Sequence, residues 1–126
     1  MISAVHTLIY SDDAPATRAF FRDVLQLPFV TDDNNEGSDW LIFNGGPCEI
    51  AMHPTSGEFD GESFRAPRHH QISLMVADAE ATAATLRERG ATILNGPRDM
   101  GFGIGMEVAV PGTDAFLFYQ PKHATA

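Results

Sequence analysis

DAPATRAFFR (residues 13–22) and DAEATAATLR (residues 78–87) are two versions of one segment, and together they decide how the chain is organised. Six of their ten positions are identical at a constant offset of 65 residues. Alanine-rich helices share residues by chance, so this repeat needs support from outside the two segments. Each segment begins with an aspartate, a residue favoured as a helix N-cap, and Gly90 follows the second segment where a helix would end. The sequence therefore predicts two equivalent helices.

Four strand-like runs accompany each helix, one before it and three after it. In the first half these runs are residues 3–10, 27–31, 39–44 and 48–53, and in the second half they are residues 68–75, 91–94, 105–110 and 115–119. Gly- and Pro-rich turns at residues 45–47 and 111–114 connect the last two runs of each half as hairpins. Each half is therefore predicted to be a βαβββ module.

The predicted fold class is α+β, built from two tandem βαβββ modules in a single domain, residues 1–126. The first module covers residues 1–54, and the second covers residues 68–121. A polar, Gly-rich linker at residues 55–67 joins them, and we expect residues 122–126 to form a loose tail.

Composition excludes several classes of protein. The chain has 126 residues and a net charge of −9, and its 8 Lys and Arg residues are scattered, so we expect no nucleic-acid partner. No apolar stretch approaches the roughly 18 residues of a membrane span, and no basic-then-apolar leader opens the chain, so we expect no membrane association and a cytoplasmic location. Cys48, the single cysteine, lies in an apolar run and is expected to be a buried, unreactive thiol.

The element order and several residues resemble the glyoxalase, bleomycin-resistance and extradiol-dioxygenase superfamily, the vicinal-oxygen-chelate proteins. The residues that carry this resemblance are His6, Asp13, Phe20-Phe21 and the run VLQLP at 24–28 in the first half, and Gln71, Val76, Asp78 and the run RGA at 89–91 in the second. The resemblance implies a curved, cup-like mixed sheet with the helices outside and a small-molecule site inside the cup. It also implies that any metal ligands come from the first and last strands of each module.

Side chains alternate along a strand, and this parity sorts residues between the cup and the helices. In the first strand of module 2, the apolar residues 72, 74 and 76 suit packing against the helices, so the other face is expected to line the cup. The repeat offset pairs His6 with Gln71, and Tyr119 shares a face with Leu117 on the last strand. The expected substrate-binding residues are His6, His69, Gln71, Ser73 and Tyr119.

The set of metal ligands that the resemblance implies is incomplete in this sequence. The resemblance places a carboxylate four residues before the closing proline of the last strand, and Leu117 occupies that position here. His6 and Gln71 remain as candidate ligands, and a one-residue shift in register would add Glu49 or His53. Residues i and i+4 of a strand lie about 13 Å apart, so Glu49 and His53 cannot bind the same ion.

Two main functions stay open at this point, besides a purely structural or regulatory module, which the fold would also allow. One is a protein that binds a small organic molecule in a cup between the modules, without a metal. The alternative is an enzyme that uses a divalent metal ion, either a lyase or an extradiol-type dioxygenase. The resemblance also implies a homodimer, because members of the family pair modules between chains. The segment 56–65 has the composition of a lid over such a site.

Overall fold

The computed structural model describes residues 7, 9, 11–31, 41–48, 51 and 55–124 of the chain. In chain order the elements are α1 (Ala14–Ala19), a π-helical turn (Phe20–Val24), β1 (Phe29–Thr31), β2 (Leu41–Phe43), β3 (Ser56–Phe59), β4 (Glu62–Arg65), β5 (Ser73–Met75), α2 (Ala79–Glu88), β6 (Ile93–Asp99), β7 (Gly103–Val108) and β8 (Phe116–Pro121). These elements confirm the predicted α+β class.

The second half forms the predicted strand, helix and three strands. Its four-stranded sheet has the order β5-β8-β7-β6, in which β5 runs parallel to β8 and the other neighbours are antiparallel. In the first half, β1 pairs with β2 antiparallel. The remaining two strands predicted for the first half, at 3–10 and 48–53, fall mainly outside the described residues.

Both helices begin at the aspartates that the repeat identifies. Asp13 Oδ1 accepts a hydrogen bond from the N–H of Ala16 at 3.1 Å, and Asp78 Oδ1 accepts one from the N–H of Ala81 at 2.9 Å. These bonds satisfy backbone donors that the first turn of a helix leaves unpaired. Gly90 follows α2 with a φ of +86°, a left-handed conformation that favours glycine.

The core lies between α2, the first helix (α1 together with the π-helical turn that follows it) and one face of the four-stranded sheet. The buried side chains that form it are Phe20, Phe21, Ala83, Leu86, Met106, Val108, Val110, Phe116 and Phe118. Ile72, Leu74 and Val76 pack against this cluster, as parity predicts, and so does Ile9, which the repeat offset pairs with Leu74. The alternation of β7 and β8 thus gives the sheet one buried face, which we call the helix face.

The β7–β8 turn contacts the beginning of the first helix and joins the two halves. The backbone N–H of Asp12 donates to the carbonyl of Gly112 at 2.9 Å, and the Thr17 hydroxyl donates to the carbonyl of Pro111 at 2.6 Å. On the other side of the core, the Arg89 guanidinium donates to the carbonyl of Val24 at 2.8 Å. Contacts on both sides of the core therefore fix the first helix to the second module.

Several local predictions are wrong. Cys48, expected to be buried, is exposed. The linker contains an antiparallel hairpin, β3–β4, which turns at Asp60 and Gly61. The strand predicted at 68–75 begins only at Ser73, so residues 68–72 approach the sheet without strand pairing.

Candidate functional site

The face of the sheet opposite the helices carries a mixed set of side chains. Residues paired directly across a sheet lie on the same face, and the register aligns them in two rows. The first row is Ser73, Leu117, Glu107 and Asn95, and the second is Met75, Tyr119, Gly105 and Arg98. We call these eight residues the open face. It combines apolar surface with several separate polar groups.

A cleft of about 1910 Å³ borders β5, and we call it the β5 cleft. Within the described residues β5 is an outer strand of its sheet, and side chains from both of its faces line this cleft. Ser73 and Met75 line it from the open face, whereas Leu74, Val76 and Leu86 line it from the helix side. Within the described residues the cleft therefore combines apolar side chains with polar ones from the open face, from residues 68–71 and from α2, where Thr82 and Thr85 line it.

Four of the five predicted binding residues line this one cleft: His69, Gln71, Ser73 and Tyr119. Gln71 and His69 precede β5, so their approach to the cleft depends on the bend at residues 68–72. The fifth, His6, lies outside the described residues. The structure brings the four together, and their role in binding stays a prediction.

His123 belongs to the segment expected to be a loose tail, and no sequence pattern marked it as a candidate site residue. Its Nε2 lies 3.1 Å from the hydroxyl of Tyr119, its ring lies 5.8 Å from the Tyr119 ring, and it also lines the β5 cleft. The backbone N–H of Lys122 donates to the carbonyl of Phe102 at 2.9 Å. The prediction of a loose tail is therefore wrong for these two residues, which are held against the end of the sheet.

A second contact holds the tail at the same place. Lys122 Nζ donates to Asp99 Oδ2, and the backbone N–H of Gly101 donates to Asp99 Oδ1 at 2.9 Å. The Lys122 ammonium, helped by the Gly101 amide, holds the pKa of the Asp99 carboxyl below its usual value. The charged carboxylate is thus the form that fastens the tail beside Tyr119.

The metal-ligand candidates do not form a complete set within the described residues. Gln71 lines the cleft, while His6, Glu49 and His53 lie outside the described part of the chain. No group of three His, Cys, Asp or Glu side chains in that part could hold one metal ion. Leu117 lies on the open face, beside Glu107 of the neighbouring strand. A single amide oxygen does not fit the ligand requirement of a catalytic divalent metal.

Among the described residues, no helix is long and apolar enough to cross a membrane.

Comparison with known proteins identifies the superfamily that the sequence motifs resemble. A family model described as the Glyoxalase/Bleomycin resistance protein/Dioxygenase superfamily matches residues 3–122. No curated protein sequence matches the chain significantly. A structure of a member of the same superfamily from Sphaerobacter thermophilus DSM 20745 is 26% identical, with a TM-score of 0.59, and the match covers 95% of this chain and 98% of that one.

Two further solved structures share the fold at lower identity. TnmS3, an antibiotic binding protein from Streptomyces sp. CB03234, is 16% identical with a TM-score of 0.61, over 97% of this chain and 100% of that one. Lactoylglutathione lyase from Agrobacterium tumefaciens is 17% identical with a TM-score of 0.56, over 94% of each chain. At these identities the likeness shows the fold alone.

Proposed function

The chain belongs to the Glyoxalase/Bleomycin resistance protein/Dioxygenase superfamily, and from this premise we propose that it binds a small organic molecule in the β5 cleft. The observation that carries the proposal is the composition of the cleft wall. Apolar side chains such as Met75 and Leu74 alternate there with Ser73, Gln71 and Tyr119, which can form hydrogen bonds. Mostly apolar walls with a few polar groups are typical of small-molecule sites.

The fold is compatible with binding and with catalysis, so the side chains must decide between them. Related structures include an antibiotic binding protein and a lactoylglutathione lyase. Binding needs only shape, apolar surface and hydrogen bonds, and the described residues of the cleft offer all three. The binding function therefore has the stronger support.

The charges of the cleft favour a neutral or anionic ligand. The chain carries a net charge of −9, yet the described residues that line the cleft include two arginines, Arg68 and Arg89, against a single carboxylate residue, Asp78. An anionic molecule would meet less repulsion here than elsewhere on an acidic surface.

The proposal can be tested by thermal unfolding in the presence of a panel of aromatic and heteroaromatic compounds. A compound at about 100 times its Kd should stabilise the protein by about 2.7 kcal/mol, a shift of several degrees in Tm. Ser73→Trp places a bulky side chain in the cleft and should abolish that shift. Leu94→Trp, at a residue that is 59% exposed and does not line the cleft, should retain it. Shifts that survive in Ser73→Trp would show that the compounds bind elsewhere.

The alternative is a metal-dependent lyase or extradiol-type dioxygenase. It requires ligands from His6, Glu49 or His53 in addition to Gln71. The discriminating measurement is the metal content of protein purified without chelator. Stoichiometric iron, zinc, nickel or manganese that is lost in His6→Ala would favour the enzyme over the binding protein.

We also propose that the protein is a homodimer. Val30 and Ile42 face each other across β1 and β2 and are 62% and 38% exposed, so this small sheet presents apolar surface to solvent. Within the described residues, β5 has a partner strand on one edge only. The cleft also exceeds the 300–1,000 Å³ typical of ligand pockets. Light scattering at micromolar concentration should give twice the 13.7 kDa chain mass, and a clean monomer mass would contradict the proposal.

The β3–β4 hairpin is our candidate for a lid. Thr55 and Ala66, at its base, line the cleft and are joined by a backbone hydrogen bond of 2.8 Å. Hydrogen exchange of residues 56–65 should slow when a ligand binds. Unchanged exchange at saturating ligand would rule out a lid.

A further inference from the structure

The tautomer of His123 follows from its two hydrogen bonds. Its Nδ1 lies 2.8 Å from the carbonyl oxygen of Ala124, which can only accept, so Nδ1 carries the proton. In the neutral imidazole Nε2 is then unprotonated and acts as an acceptor. The Tyr119 hydroxyl at 3.1 Å must therefore donate its proton to Nε2.

This arrangement fixes what Tyr119 can offer to a ligand. A phenolic hydroxyl has one proton, and here it is donated in the hydrogen bond to His123, so the Tyr119 oxygen can only accept a hydrogen bond from any other partner. The ring itself is held in place. Phe102 packs edge-on with ring centres 5.4 Å apart, and a side chain at Gly103 would come within 2.9 Å of the Tyr119 ring. The acceptor is thus presented from a defined position.

His69 has the same tautomer for the same reason. Its Nδ1 lies 2.8 Å from the carbonyl oxygen of Pro67, so Nδ1 donates and the neutral Nε2 is left as an acceptor. His69 and Tyr119 both line the β5 cleft. Two side chains that could have donated are therefore turned into acceptors by backbone and tail contacts.

We propose that the part of the β5 cleft lined by His69 and Tyr119 recognises hydroxyl or N–H donors carried on an apolar frame, with Tyr119 Oη and His69 Nε2 as the accepting atoms. His123 is a positioning residue that sets the direction of the Tyr119 hydrogen bond. The inference rests on the proposed binding function and adds the class of ligand to it.

The test compares two probes with the same aromatic frame, 2,6-dihydroxynaphthalene and its dimethyl ether, by fluorescence titration. The diol can donate two hydrogen bonds, whereas the ether can only accept. The wild-type protein should bind the diol more tightly. Tyr119→Phe and His69→Ala should each weaken diol binding about three- to tenfold, as expected for one neutral hydrogen bond, and leave ether binding unchanged.

His123→Ala gives the sharper result, because it frees the Tyr119 proton. The hydroxyl can then donate to the ether oxygen, so ether binding should strengthen about three- to tenfold while diol binding changes little. Thr92→Val, which removes an exposed hydroxyl outside the cleft, should alter neither affinity.

Nitrogen-15 NMR of the imidazole rings at alkaline pH tests the tautomers without any ligand. Both His69 and His123 should show protonated Nδ1 and unprotonated Nε2, and the opposite tautomer in either would overturn the proposal. Equal affinity for the two probes, or no binding of either at about 1 mM, would overturn the ligand class. If the compound panel above still finds ligands that Ser73→Trp blocks, the binding function stands although this inference has failed.

Discussion

Replacing Gly112 with alanine should destabilise the protein far more than a glycine substitution in a surface turn usually does. Gly112 lies in the β7–β8 turn with a φ of +84°, a left-handed conformation that costs other residues about 1–2 kcal/mol. A Cβ at this position would overlap Ser11 Oγ and would approach the backbone N and O of Asp13 to 2.9 and 3.0 Å. The turn and the start of the first helix would have to move apart.

Moving apart breaks hydrogen bonds at the junction of the two halves. Ser11 Oγ accepts from the N–H of Asp13 at 3.0 Å, and its one proton can be donated either to the Gly112 carbonyl at 3.1 Å or to the Thr17 hydroxyl oxygen at 2.7 Å. Losing one or two of these bonds costs about 1–2 kcal/mol. Together with the backbone conformation, the expected loss of unfolding free energy is about 2–4 kcal/mol, or a fall in Tm of about 8–15 °C.

Urea denaturation of matched variants separates the two contributions. Gly61 has nearly the same φ, +80°, but open space where a Cβ would lie, so Gly61→Ala should cost only the conformational 1–2 kcal/mol. Gly112→Ala should also cost less in a Ser11→Ala background, because that variant lacks the overlapped oxygen. A Gly112→Ala variant no less stable than Gly61→Ala would refute the contact between the turn and the first helix.

Three further outcomes follow from single contacts. Met106→Ala, at a side chain 1% exposed, should lower the unfolding free energy by about 2–5 kcal/mol, whereas Leu94→Ala, at a side chain 59% exposed, should change it little in the same urea titration. Lys122→Ala should raise the pKa of Asp99 in an NMR titration. Folding lowers the pKa of Asp99, so its stabilising effect is present above the unfolded pKa and is lost as pH falls through the folded pKa. The Lys122→Ala variant should therefore lose the part of the pH dependence of stability that comes from Asp99. Asp78→Ala removes the N-cap of α2 and should cost about 1 kcal/mol, measured by urea denaturation followed by circular dichroism.

Local chemistry determined the order of elements. The repeated helices, their aspartate caps and the glycine after α2 are encoded within a few residues of each other, so the sequence alone predicts them. Strand parity is equally local, and it correctly separated Leu74 on the helix face from Ser73 on the open face. The family followed from the same short-range pattern together with the motif residues.

Contacts between distant segments decided what the cleft offers. His123 faces Tyr119 only because Lys122 bonds to Asp99 and Phe102, 23 and 20 residues earlier in the chain. Glu107 lies beside Leu117 because the register of β7 and β8 pairs these two residues. The pairing of β6 with β7 is irregular, whereas the pairing of β7 with β8 is continuous. Parity assigns a side chain to a face, but the residue beside it on the next strand depends on register, and register is set by the packing of the whole sheet. The sequence therefore determined the fold class and the face of the sheet on which Ser73 lies, whereas the tertiary structure decided the hydrogen-bond partners of Tyr119.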